Sequence, residues 1–144
     1  MNLKKWKKII LASIVTIIVI LAIIGAIIIF QNIGDVEVHL YVSNQSFDDN
    51  PVNITIKIDG KERFNRECRV DGQHNWTLVE FKLSKGSHWI KAIENDHGIE
   101  KKVSFSVHNE VWIVVDYWYY STLHYNPTQR DFTIDFSNEP VYFM

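Results

Sequence analysis

An all-β fold, an antiparallel β-sandwich of about seven to eight strands preceded by one N-terminal transmembrane α-helix, is predicted by three features of the sequence. The run Ile9–Phe30 is almost unbroken Ile, Val, Leu and Ala. From residue 35 onward, short segments alternate apolar with polar residues and are punctuated by Gly, Asn, Asp and Pro. Within that region no stretch longer than about two turns keeps helical periodicity. Evenly spaced short strands joined by turns are the grammar of a sandwich.

The apolar run, at about 1.5 Å per residue, covers roughly 33 Å, the thickness of a bilayer's hydrocarbon core. Lys4, Lys5, Lys7 and Lys8 precede it, Asp35 and Glu37 follow it, and the next Lys or Arg is Lys57. This asymmetry predicts a cytoplasmic amino terminus, residues 1–8, and an extracytoplasmic domain in a single-pass protein of the cell membrane. Trp6 suits an interfacial anchor. The competing interpretation, a cleaved signal peptide, calls for an apolar region of only about 7–15 residues ending in small residues. Ile27-Ile28-Ile29-Phe30 follows the small residues Ala22, Gly25 and Ala26, which favours an uncleaved signal anchor. The expected organisation is therefore a span at 9–30, a short linker at 31–35 and one domain at 36–144. The first partner it implies is the lipid bilayer.

Along the domain, Val36, Val38, Leu40 and Val42 alternate with Glu37, His39 and Tyr41, and Val52, Ile54, Ile56 and Ile58 with Asn53, Thr55 and Lys57. Asp59-Gly60 is a strong hairpin signal, with a return strand from Lys61 to about Val70 and a turn at Asp71-Gly72. Further strands are expected at Trp76–Leu83, His88–Glu94, Ile99–Val107 and Val111–Trp118, and around Phe132, Ile134 and Phe136. Ser121–Asp131 is the longest irregular stretch. Joining Ile99–Val107 to Val111–Trp118 as a hairpin through His108-Asn109-Glu110 sets Val107 opposite Val111, Phe105 opposite Ile113 and Val103 opposite Val115. On the other face it sets Lys102 opposite Asp116, a favourable cross-strand pair.

Ile56-Lys57-Ile58-Asp59-Gly60-Lys61, the stretch Phe81 to Ala92 with its Ser84-Lys85-Gly86 turn and His88, and His97-Gly98 ahead of Val103, Phe105 and Val107 carry a resemblance. Together they resemble the small β-sandwich modules of the carboxypeptidase regulatory-like (transthyretin-like) and bacterial immunoglobulin-like groups. The resemblance covers less than half the chain, from about residue 52 to 115, and implies a non-catalytic accessory or adhesive unit. No functional residue is transferred from it.

Chemistry-bearing patterns are sparse. His39, His74, His88, His97, His108 and His124 lack the close paired spacing of a metal site, and Asp48-Asp49-Asn50 reads as a solvated turn before Pro51. No nucleophile elbow, phosphate loop or basic nucleic-acid stripe is present, so neither an enzyme, a cofactor nor a nucleic-acid partner is expected. Cys68, the only cysteine, is either a buried apolar residue or one half of an intermolecular bridge. Asn44, Asn53 and Asn75 begin glycosylation sequons.

The expected hairpin gathers Trp89, Trp112, Val114 and Trp118 on one outer face with Lys102, Ser104 and Ser106. Two arrangements satisfy this: an exposed patch that contacts a partner or ligand, or a face covered by the aromatic-rich stretch 119–144. The predicted function is a protein-interaction or accessory module. The alternative is a carbohydrate- or metal-binding domain using the aromatic face or the His-bearing turns.

Overall fold

A helix, α1 (Leu3–Gln31), is followed by eight strands: β1 (Asp35–Asn44), β2 (Val52–Ile58), β3 (Lys61–Cys68), β4 (Thr77–Ser84), β5 (Gly86–Glu94), β6 (Ile99–Val107), β7 (Val111–Trp118) and β8 (Asp131–Ser137). The computed structural model describes residues 3–31, 34–70, 75–121 and 129–143. The Asp71-Gly72 turn, His74, His124 and most of the irregular 121–131 stretch lie outside them. The chain divides into two units between Gly34 and Asp35.

Within α1, Trp6–Ile27 forms 22 residues long and apolar enough to cross a membrane, with a mean hydropathy of 3.1. Its two hydroxyls are satisfied inside the helix: Ser13 Oγ donates to Ile9 O at 3.0 Å and Thr16 Oγ1 to Ala12 O at 2.9 Å. Neither hydroxyl therefore needs a partner from lipid.

The strands form two four-stranded sheets, ordered β4-β1-β7-β8 and β3-β2-β5-β6. All pairings are antiparallel except β1 with β7, which run parallel with Leu40 opposite Ile113. The alternation read from the sequence decides which side chains enter the core. Val38, Leu40 and Val42 of β1, Ile54, Ile56 and Ile58 of β2, Ile90 and Ala92 of β5, and Ile113, Val115 and Tyr117 of β7 are almost fully buried between the sheets. Cys68 faces the same core opposite Val52, and burial pushes its thiol up to about 11. The Asp59-Gly60 turn has positive φ at both residues, 51° and 81°, as a tight hairpin between right-twisted strands requires.

Both open sides of the sandwich are closed by aromatic contacts. In β3 the pairing slips after Ile56, leaving Arg63 as the extra residue of a bulge, and its guanidinium lies 4.4 Å from the Phe81 ring centre on β4. Opposite, Phe105 of β6 stacks on Phe136 of β8 at 4.9 Å.

The expected hairpin between Ile99–Val107 and Val111–Trp118 does not form. β6 ends the second sheet, whereas β7 lies inside the first, so His108-Asn109-Glu110 crosses from one sheet to the other. Val103, Phe105 and Val107 meet the core from one side, and Val111, Ile113 and Val115 from the other. An arch and a hairpin give the same inside-outside alternation, which is why the pattern did not separate them. Lys102 accordingly does not face Asp116. Its ammonium lies 4.0 Å from the ring centre of Trp89.

The strand ends that lead into the connections after β1, β3, β5 and β7 lie at the end of the sandwich opposite Asp35. The Asp48-Asp49-Asn50 turn found there is not simply solvated. Asp49 receives hydrogen bonds from Tyr117 Oη at 2.7 Å and from Arg130 Nε at 2.8 Å, and Arg130 also lies 4.0 Å from the Tyr119 ring centre. Asn50 Oδ1 accepts from Val70 N–H, and Asp48 accepts from Ser121 N–H. Beside them the fully buried Glu94 accepts from the N–H groups of Asp96 and His97. Desolvation works to raise the Asp49 pKa, but the hydrogen bonds from Arg130 and Tyr117 prevail and hold it below 3.8. Its stabilising contribution is thus present above the unfolded value and lost as pH falls through the lower folded one. Replacing Tyr117 by Phe should cost about 1–3 kcal/mol. Replacing Asp49 by Ala should cost more, because it also leaves Arg130 without its carboxylate. Denaturant midpoints of the variants measure both, and the Asp49 variant should show a shallower loss of stability in acid.

Candidate functional site

Sheet pairing separates the predicted aromatic face into two. Trp112, Val114 and Trp118 lie on the outer face of the first sheet. Trp89 lies on the outer face of the second, where it is registered against Ser104 and flanked by Lys57, Lys91 and Lys102. The expectation of one shared face is corrected by the arch at His108-Asn109-Glu110, which sends β7 to the other layer. Even on the first sheet Trp118 stands apart. At about 3.3 Å per residue it lies roughly 20 Å along β7 from Trp112. There its indole N–H donates to Thr133 Oγ1 at 3.1 Å.

What the first sheet assembles around Trp112 and Val114 comes from strands far away in sequence. The parallel register places His39 beside Trp112 and Tyr41 beside Val114. The His39 imidazole stacks on the indole at 4.9 Å with planes 9° apart. One ring nitrogen of His39 reaches Glu80 of β4 at 2.8 Å and the other reaches Glu110 of the arch at 2.6 Å. Two carboxylate acceptors call for a donor at each nitrogen, and so for the imidazolium. Partial burial opposes the charge, but the bonds to Glu110 and Glu80 prevail and raise the His39 pKa above 6.5.

Further along, Trp76 donates its indole N–H to Asp116 Oδ1 at 2.8 Å, and Ser43 Oγ donates to the same oxygen at 2.6 Å. Burial raises the Asp116 pKa above 3.8, and the nearby Asp135 adds to it, against the opposing effect of these two bonds. Over this surface lies the segment 138–143. Phe143 stacks on Trp76 at 3.9 Å with planes 15° apart and meets Tyr41 edge-on at 5.0 Å. Between the segment and the sheet a cleft of about 270 Å³ is lined by Trp112, Val114, Asp135, Phe136, Ser137, Val141 and Phe143. The face is therefore partly covered by the chain itself, and Val114 is nearly buried.

His39, Tyr41, Glu80 and Glu110 were absent from the sequence-derived site. The outward phase of His39 and Tyr41 was legible, but no local signal placed β1 against β7. Trp76 and Phe143 join them only through tertiary packing.

The other expected features fall as follows. Asn44 is buried at 3% exposure, and its amide nitrogen donates to Asp49 O at 2.7 Å, so the folded domain does not present it to a glycan. Asn53 is exposed with its amide bonded to Asp96, and Asn75 is exposed. Among the described residues no three of His, Cys, Asp and Glu are grouped to hold a metal. His88 is clasped between Asp59 Oδ2 at 2.6 Å and Ser84 O at 2.8 Å, a turn-locking arrangement. Lys4, Lys5, Trp6, Lys7 and Lys8 occupy the first turns of α1.

His39 is expected to titrate above 6.5 by NMR, and Glu80→Gln with Glu110→Gln should bring it back toward that value. Because the folded pKa is raised, the stability His39 contributes is complete below about 6.5 and lost as pH rises through the folded value. A His39→Gln chain should lack that component. No family model matches the chain, and no curated protein or solved structure matches it either.

Proposed function

We propose that this is a single-pass protein of the cell membrane, its amino terminus cytoplasmic and its β-sandwich outside, acting as a non-catalytic protein-interaction or accessory module. The observation that carries the reading is the aromatic cleft on the outer face of the first sheet, with walls set by Trp112, Val114, Phe136 and Phe143. Apolar concavities of this kind suit protein contacts, in which aromatic anchors dominate. The placement outside rests on the four lysines ahead of the span and the absence of Lys or Arg between it and Lys57.

A role through contacts rather than chemistry is supported by where the charged groups are used. Asp49 with Arg130, Glu94 with two backbone N–H groups, and Asp59 with His88 are all engaged in fixing turns. A sugar-stacking platform is less well served, because Lys102 lies over Trp89 and His39 over Trp112. The resemblance to accessory modules agrees with this reading. The strand order supports its transthyretin-like form, since an immunoglobulin sandwich sets its first strand beside its second.

Crosslinking the full-length protein in its native membrane, with mass-spectrometric identification of what is captured, tests the proposal. A reproducible partner whose capture falls at least about tenfold on Trp112→Ala, the loss of an interfacial aromatic anchor, is expected. Trp118→Ala, outside the cleft, should change capture little. Absence of any partner across several crosslinker chemistries would refute the reading.

A further inference from the structure

The segment 138–143 lies on the cleft in a particular way. In extended chain, residues two apart point to the same side. Val141 and Phe143 accordingly face the sheet and line the cleft, while Tyr142 between them points away and is 84% exposed. Pro140 removes a backbone donor immediately before them. Among the described residues, no backbone hydrogen bond ties 138–143 to the sheet. Its polar contacts are a local pair between Ser137 Oγ and the N–H and C=O of Glu139. The segment is thus held by two side chains and not by a ladder. It also fits incompletely, because the cleft of about 270 Å³ stays open beside Val141, walled by Trp112, Val114 and Phe136.

Building on the interaction-module reading, we propose that this cleft is a peptide groove whose present occupant, 141–143, stands in for an extended segment of a partner protein. That segment carries an aliphatic side chain and, two residues later, an aromatic one. The aromatic ring takes the place of Phe143 between Trp76 and Tyr41. The aliphatic side chain is larger than Val and fills the space against Trp112. The chain's own segment then acts as a tethered competitor that a partner must displace.

The test uses the full-length chain in nanodiscs and a fluorescent peptide of residues 138–143, in its natural form and with Val141→Leu. A tethered copy competes at an effective concentration of about millimolar. V141S/F143S, which vacates the groove, should therefore bind the peptide roughly tenfold more tightly than the unaltered chain. The Leu form should bind more tightly than the Val form, and adding Trp112→Ala should abolish binding. As a second measurement that needs no destabilising change, 4-fluorophenylalanine at position 143 of the otherwise unaltered chain reports displacement by excess peptide as a shifted ¹⁹F resonance.

A folded V141S/F143S chain that fails to bind at millimolar peptide, binding indifferent to Trp112→Ala, or a ¹⁹F resonance that never moves would each overturn the proposal. Dimers of the unaltered chain that V141S/F143S abolishes would make a second copy the occupant and overturn it likewise. Trp112-dependent crosslinking of a partner without peptide binding would overturn the groove alone and leave the interaction-module reading standing.

Discussion

The domain depends on the first strand being a central one. β1 is bonded on one side to β4, antiparallel, and on the other to β7, parallel, so a segment at the start of the domain is locked by segments some forty and seventy residues later. Its inward residues Val38, Leu40 and Val42 are completely or almost completely buried, which requires both neighbours and the opposite sheet to be in place. Parallel neighbours cannot be joined by a tight turn. The chain between β1 and β7 therefore builds the whole second sheet, and β4 of the first, before returning, and the arch after β6 is the consequence of that return.

The same constraint makes the candidate site. On the outer face, β1 supplies His39 and Tyr41, β4 supplies Glu80, β7 supplies Trp112 and Val114, and the arch supplies Glu110. Only the mixed pairing brings these into one surface. Trp76 joins two parts of it, since its N–H holds the half-buried Asp116 while its ring carries Phe143. Asp116 is costly to bury, as its raised pKa records, whereas Asp49 at the loop end is lowered by Arg130 and Tyr117. The two carboxylates are both partly buried and both hydrogen-bonded, and they shift in opposite directions because only one has a cation.

Much of this architecture could be read from residues alone because it is local. Alternation over Val52–Ile58 and Ile99–Val107 gave those strands their full extent, and Asp59-Gly60 gave a hairpin. Layer assignment is not local. Val103, Phe105 and Val107 point inward whether their strand sits beside β7 or across the core from it, so sequence periodicity placed Trp89 with Trp112 when they lie on opposite outer faces. Asp49 was similarly misread as a solvated turn residue, since its partners Tyr117 and Arg130 lie far along the chain. The site was legible only as Trp112 and Val114, the two members whose outward phase and apolar character coincide on one strand.

The two outer faces differ in a way that bears on function. That of the second sheet carries Asn53, Lys57, Ser87, Lys91, Lys102, Ser104 and Ser106, with Trp89 shielded by Lys102, and Lys91 paired with Glu100. Such a surface meets water without help. The outer face of the first sheet cannot, because its central strands place Tyr41, Trp112 and Val114 side by side, and the segment 138–143 lies across them. A covering held by two side chains is enough to shelter that surface and weak enough to leave it, since no ladder bond must break. Stability of the fold, vested in β1 and its neighbours, is thereby separated from occupancy of the cleft. A surface that is sheltered yet independent of the core's integrity is one that a partner can take over without unfolding the domain.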